Sequence, residues 1–307
     1  MMNLQQNTLK KSYTFEGKGL HTGKVAKLVI KPAPVDFGLK FKRVDLGEDA
    51  IIEALADYVS STARSTAISK GDVSVITIEH ILSALTGLGI DNALIEINNV
   101  EIPILDGSSA PYVDAITKDG VQPQDGERKY IEISEEILIE DEETGSILRI
   151  TPAEKPSYEI KIDFNSKVLG VQTAYWDNTI NYAAEIGKCR TFVFFHEIEF
   201  LFKNNLIKGG DVDNAIVIVE NPVSNEQLEH ISKLFNVPML ERTEAGYLSN
   251  LVLRFPNECS RHKLLDLIGD LRLAGGFLKA KVTAEKVGHR INTLGAKAIR
   301  KQIIKTL

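Results

Sequence analysis

His262 and Asp266 stand four residues apart in Arg261-His262-Lys263-Leu264-Leu265-Asp266. At 3.6 residues per turn, an i, i+4 pair projects from one face of a helix, one turn apart. An imidazole and a carboxylate so placed can share one metal ion. Far upstream, Thr77-Ile78-Glu79-His80 offers a second imidazole. With His80 as third ligand, a fourth position stays open for water, the arrangement of catalytic rather than structural zinc. Glu79, beside that ligand, is placed to act as a general base. The combination points to metal-dependent hydrolysis. Each part also has a plainer reading: His262 and Asp266 as a helix-stabilising contact, and Glu79 as a first-turn carboxylate complementing the helix dipole.

Asp270 extends His262 and Asp266 into a polar stripe at i, i+4 and i+8 of a leucine-rich segment. Carboxylates on such a helix imply burial with partners, because unpaired buried charge is costly. His289 follows in Val287-Gly288-His289-Arg290. It reads as an exposed loop histidine or as a general acid oriented by Asp270. Thr191, in Cys189-Arg190-Thr191-Phe192, reads as a helix N-cap or as a hydroxyl donor to a developing oxyanion. Phe192, Phe194, Phe195, Phe200 and Phe202 crowd the next segment, and Ile198 and Leu201 extend its apolar face. Core packing and a dry groove for an acyl chain both fit that composition. Gly209-Gly210 marks a tight turn, and no G-x-x-x-x-G-K-[ST] phosphate loop occurs.

These residues need elements to hold them. Ala26–Ile30 and Leu39–Phe41 read as strands, Ile76–Leu88 as a helix stopped by Gly87 and Gly89, and Ala93–Ile97 as a strand. Asp106 to Pro111 reads as a turn opening a helix to Thr117. The polar stretch Lys118–Lys129 is the expected boundary between two domains. Residues 1–125 would carry Glu79 and His80; residues 126–307 would carry His262, Asp266 and His289, with an acyl-passage subregion at about 190–220. In the second half, Tyr130–Ile133, Ile147–Ile150 and Tyr158–Phe164 read as strands. Residues 192–202 read as a helix, Ala215–Val219 as a buried strand, and Pro222–Tyr247 as an inserted, helix-containing excursion. Pro256–Leu273 reads as a long helix, Leu278–Thr283 as a strand, and Asn292–Thr306 as a closing helix. A His-bearing helix, a glycine stop, a strand, a turn and a helix occur twice in that order. This suggests a duplicated α+β unit with a shared cleft.

The 307 residues are 43% apolar and 25% charged, ordinary globular composition with material for a core. A formal net charge of −6 argues against general nucleic-acid binding. Cys189 and Cys259 are too few for a disulfide framework, so a reducing compartment is expected. The N-terminus has no apolar leader, and no run approaches the roughly 18 apolar residues of a membrane span. A cytoplasmic location is expected.

Several ordered segments carry a closer likeness. They are Gly17-Lys18-Gly19-Leu20-His21-Thr22-Gly23, Thr77–His80 through Gly87–Ala93, Glu101–Ser108, Arg190-Thr191-Phe192, Gly209-Gly210 with Asp213-Asn214-Ala215, Arg254-Phe255-Pro256, Arg261–Asp270 and Gly288-His289. Together they resemble the zinc-dependent UDP-3-O-acyl-N-acetylglucosamine deacetylases of lipid A biosynthesis. The resemblance implies an α+β fold of two similar domains, each a small sheet layered with helices, with the active site between them. It implies that His80, His262 and Asp266 bind Zn2+, that Glu79 is the general base, and that His289, oriented by Asp270, is the protonated partner. Thr191 would assist the oxyanion, and Lys263 would lie close to the substrate. His21, Phe164 and Phe192 match substrate contacts; Phe194, Ile198, Leu201, Ile207 and Val217 would shape an acyl passage. The implied reaction removes the N-acetyl group of the acylated UDP-sugar as acetate, the committed step towards lipopolysaccharide.

Val193 stands where a smaller residue is expected, residues 222–247 are longer than in compact members, and no basic residue for the diphosphate is evident near Glu142–Leu148. An acyl carrier protein dehydratase domain, fused in some members, is an expected partner, fused or separate. Iron can compete for such a ligand set. Two other classes remain open. Asp106-Gly107-Ser108-Ser109-Ala110 superficially resembles a phosphate loop of a small-molecule kinase, and a metal-stabilised, non-enzymatic binding module would close the fourth metal position with a protein ligand.

Overall fold

The computed structural model describes residues 4–204 and 206–306. Among them are seven α-helices: α1 (Glu79–Gly87), α2 (Ala110–Asp119), α3 (Tyr182–Glu185), α4 (Phe195–Lys203), α5 (Asn225–Leu234), α6 (Glu258–Leu271) and α7 (His289–Thr306). The architecture is mixed α and β, with several small sheets. The larger two share one plan. The first runs, edge to edge, Tyr13–Lys18, Val25–Pro32, Ala93–Ile97, Leu39–Arg43 and Ile51–Glu53. The second runs Ile137–Asp141, Ser146–Pro152, Phe277–Glu285, Ser157–Asp163 and Val171–Asp177, with Tyr130–Glu132 also pairing Phe277–Glu285. In each, the strand latest in sequence inserts at the centre, antiparallel to one neighbour and parallel to the other. In each, one helix precedes that strand (α1, α6) and one follows it (α2, α7).

Alternation decides which face of each strand is buried. In Phe277–Glu285, Leu278, Ala280, Val282 and Ala284 are buried while the residues between them are not, the period-two pattern of a strand covered on one face. Helix α1 is buried from Glu79 to Thr86, as a short helix apolar on most sides must be. It packs against α6 so closely that a Cβ on Gly269 would lie 2.1 Å from the Glu79 carbonyl oxygen. One buried cluster runs through both sheets and their helices; a smaller one, including Ile198, Val217, Leu228 and Leu248, lies under α4 and α5.

Four local expectations change. Residues 192–202 are not one helix: Phe192–Phe194 forms a strand parallel to Ile216–Ile218, and only then does α4 begin. Pairing overrides the helical pattern there, because a β strand beside a partner satisfies its backbone groups whatever its periodicity. Lys118–Lys129 is not a bare linker, since Val121–Glu127 pairs antiparallel with Gln5–Leu9. Helix α7 starts at His289 rather than Asn292, so His289 is not a loop residue. The long helix ends at Leu271, and a 3-10 turn carries the chain to Ala274 before Gly275 adopts φ 101°. No helix among the described residues is long and apolar enough to cross a membrane.

Candidate metal centre and reaction cleft

The start of α1 is a strained turn. Thr77 has φ 62°, a rare conformation for a β-branched residue. Its N–H and that of Ile78 donate to the Thr66 carbonyl, and its hydroxyl donates to Glu101 at 3.1 Å. Glu101 is buried and also accepts the N–H groups of His21 (2.8 Å) and Thr22 (2.7 Å). Gly19 is required beside it, because a Cβ there would sit 2.3 Å from a Glu101 oxygen. One carboxylate therefore ties the His21 loop to the turn that presents Glu79 and His80.

Three side chains converge where α1 meets α6. The ligand atoms of His80, His262 and Asp266 lie within 4.8 Å of one another, and all three residues are buried. Each imidazole Nε2 is 3.5 Å from Asp266 Oδ1. That oxygen is buried without a hydrogen-bond partner, a costly state for a carboxylate. The other oxygen accepts from Lys263 Nζ at 3.0 Å. His262 Nδ1 donates to the Cys189 carbonyl at 3.0 Å, which leaves Nε2 with its lone pair towards the cluster. Burial pushes the His262 pKa down to about 3, so the ring is the neutral form that a metal requires. Burial alone would raise Asp266, but the neighbouring His262 and Lys263 outweigh it and hold the carboxyl well below its usual range. Two imidazole nitrogens and one carboxylate with an orphaned oxygen fit a divalent cation of the zinc type.

Beside this cluster stand Glu79 and His289, Oε1 to Nε2 at 4.0 Å. Burial raises the Glu79 pKa, which makes it a better proton acceptor near neutrality. His289 Nδ1 donates to Asp270 Oδ2 at 3.0 Å. Burial works against a charge on His289, but the Asp270 and Glu79 carboxylates prevail and raise its pKa to about 9. Asp270 lies behind His289, fully buried, and does not line the cleft.

A cleft of about 290 Å³ opens over these groups. His21, Phe164, Thr191, Phe192, Phe194 and Lys263 line it together with Glu79, His80, His262, Asp266 and His289. Thr191 is no N-cap: its N–H donates to Gly107 and its carbonyl accepts from Ile216, just before the strand at Phe192. A second, mostly apolar cavity of about 130 Å³ is lined by Val193, Ile198, Leu201, Ile207 and Val217. Both cavities share Leu20, His21, Arg64, Thr191 and Phe192. Phe194 lines the polar cleft and not the apolar cavity. In the Asp106–Ala110 turn, Asp106 accepts from Ser108 and the Ser108 hydroxyl from the Ala110 N–H, so the run spends its donors internally.

Sequence reasoning gave no role to Arg64, Thr66 or Glu101. Arg64 lines both cavities at φ 65°, a left-handed conformation that no local motif announced. Glu101 stands in one of the ordered segments that carry the resemblance, which is its one signal in the sequence; its burial beside Gly19 appears only in the fold.

The family model described as UDP-3-O-acyl N-acetylglycosamine deacetylase matches residues 6–235 and 238–301. A protein of Porphyromonas gingivalis named "Bifunctional enzyme LpxC/FabZ" is 43% identical over 97% of this chain. The chain spans 65% of the length of that relative. Proteins named UDP-3-O-acyl-N-acetylglucosamine deacetylase are 38% identical in Cellvibrio japonicus and 39% identical in Pseudomonas entomophila. Those matches cover 97% and 99% of this chain, and 91% of each relative.

Proposed function

This chain belongs to the UDP-3-O-acyl N-acetylglycosamine deacetylase family, and on that premise we propose that it is a zinc-dependent hydrolase of lipid A biosynthesis. Its substrate would be UDP-3-O-acyl-N-acetylglucosamine, its products acetate and the free amine. The observation that carries this reading is the orphaned Asp266 oxygen between two imidazoles, beside a buried Glu–His pair. His80, His262 and Asp266 would hold the ion, which when bound would supply Lewis-acid polarisation. Glu79 takes the proton from the attacking water. Thr191 donates its hydroxyl to the oxygen that gains charge as the amide carbonyl is attacked. His289 then gives its proton to the departing nitrogen, which is a poor leaving group without one. Lys263, its charge held by Asp266, lies where it can contact substrate oxygens.

The amphipathic substrate matches two surfaces that meet at the cleft. The acyl chain enters the apolar cavity along Ile198, Leu201, Ile207 and Val217, with Phe192 at the junction. Phe164 also lines a larger cavity of about 640 Å³ that carries Asp163, Asn165, Lys286 and Arg290. We assign the nucleotide half to it. Arg290 is committed to Asp141 and Glu143, so Lys286 is the cation offered to the diphosphate. The same reading carries the division at residues 125/126 with the cleft at the junction, the cytoplasmic location, and an acyl carrier protein dehydratase as partner, fused or separate.

The test is acetate release from UDP-3-O-acyl-N-acetylglucosamine by purified protein. Release should stop on chelation and return with zinc. A folded, zinc-loaded protein that releases no acetate would defeat the reading.

A further inference from the structure

We propose that Thr66 is the positioning residue that fixes the Glu79–His289 pair, holding Glu79 through its amide and Asp270 through its hydroxyl. The proposal rests on the deacetylase reading and adds a residue to it. Thr66 is fully buried and lies outside both cavities. Its N–H donates to Glu79 Oε2 at 3.1 Å. Its Oγ1 donates to Asp270 Oδ1 at 2.5 Å. Its carbonyl accepts from Thr77 and Ile78, the two residues that lead into Glu79.

All the polar groups of one residue thus serve the base Glu79, the carboxylate that orients His289, and the turn that leads into Glu79. The other Asp270 oxygen accepts from His289 Nδ1 and Asn292 Nδ2. A chain of contacts therefore runs from Glu79 through Thr66 and Asp270 to His289. Glu79 and His289 sit on different helices, 4.0 Å apart across the cleft floor. Proton transfer between fixed groups loses much of its advantage when donor and acceptor drift by about 1 Å. Valine has nearly the shape of threonine and keeps the amide donor. It removes the hydroxyl and leaves Asp270 Oδ1 buried and unpaired, so that carboxylate must move to find a donor.

In zinc-loaded protein, Thr66→Val is expected to lower kcat roughly tenfold. KM for UDP-3-O-acyl-N-acetylglucosamine and zinc content should stay unchanged, and Thr66→Ser should keep the wild-type kcat. In an Asp270→Asn background, Thr66→Val should cost no more than about twofold further, because both act through one contact. The His289 Nδ1–H proton resonance reads the same tie without substrate: it should shift in Thr66→Val and not in Thr66→Ser. Wild-type kcat in Thr66→Val, equal losses in both variants, a full multiplicative loss on Asp270→Asn, or an unmoved resonance would each overturn the proposal. If Thr66→Val does not fold, Thr66→Ala takes its place; if neither folds, Thr66 is a folding residue and the proposal falls. An inactive wild-type enzyme would instead defeat the deacetylase reading, and the resonance would still decide the role of Thr66.

Discussion

Helices α1 and α6 hold the same place in two sheets of the same strand order, yet they carry different chemistry. Helix α1 brings Glu79 and His80 in its first turn, straight out of the strained Thr77. Helix α6 brings His262, Asp266 and Asp270 one turn apart along its length, out of a regular helix. The repeated plan explains why two helices meet at a common cleft. It does not explain the asymmetry, which lies in the side chains. One helix presents residues by a backbone kink that Glu101 and Thr66 hold in place. The other relies on helical periodicity and glycine at 269, where the Glu79 carbonyl comes within contact of the backbone. A repeated strand order brings two unlike half-sites together, and neither half has both a complete ligand set and a proton acceptor.

The largest expected effect tests whether the α1 half-site supplies the base and not the metal affinity. Glu79→Gln keeps the size of the side chain and removes its basicity. Turnover should fall by about 10²–10⁴-fold, the usual contribution of a positioned general base. Zinc content, measured by elemental analysis, should stay at the wild-type level, because Glu79 is not among the three clustered ligands. Unchanged turnover with full zinc would take the base out of α1 and break the division of labour.

The two halves also differed in how legible they were. The i, i+4 spacing of His262 and Asp266 announced a shared face, and both lie on α6 with Nε2 3.5 Å from Oδ1, because a regular helix turns spacing directly into direction. The central strand Ala93–Ile97 was legible as a short, mostly apolar run. The turn before α1 was not. Its geometry depends on Thr66 and Glu101, partners 11 and 24 residues from Thr77, and no local pattern encodes those bonds. The Thr66–Asp270 contact spans 204 residues, beyond any periodicity argument. Residues 192–194 misled because their aromatic spacing suits a helix as well as a strand, and the pairing with Ile216–Ile218 decided the matter. Helix α7 begins three residues before the Asn292 start that its sequence suggests, because Gly288, which reads as a breaker, immediately precedes the first turn that holds His289.

The next effect concerns the α6 half-site. Asp270→Asn removes the nearest charge that raises the His289 pKa to about 9. A folded-state pKa above the ordinary 6.5 means that protonated His289 stabilises the fold. That stability is fully present below about pH 6.5 and is lost as pH rises through about 9. Without the Asp270 carboxylate, the His289 pKa falls. The basic limb of the kcat profile should then move to lower pH, with turnover about tenfold to a hundredfold down at neutrality. The loss of unfolding free energy between pH 6.5 and 9 should shrink in the same variant. A basic limb that stays in place would mean that some group other than His289 donates the proton.

The smallest effect concerns the seam between the halves away from the chemistry. Tyr182, in α3, sits so close on α1 that a Cβ on Gly87 would strike its ring at 2.2 Å. Its buried hydroxyl lies 2.7 Å from Ser83 Oγ and 3.5 Å from Ser109 Oγ. Ser109 in turn donates to the His80 carbonyl at 2.7 Å. Tyr182→Phe keeps the ring and deletes this hydroxyl, so the packing on Gly87 survives. Ser83 and Ser109 lose one shared partner but retain room to rotate their own hydroxyls. The expected cost is about 1 kcal/mol of unfolding free energy, the ordinary worth of one neutral buried hydrogen bond, measured by denaturant titration. kcat and zinc content should not change, because the His80 carbonyl keeps its Ser109 donor. If kcat fell together with stability, the seam would be coupled to the α1 half-site, and the asymmetry between a kinked, braced helix and a regular one would extend beyond the cleft into the packing.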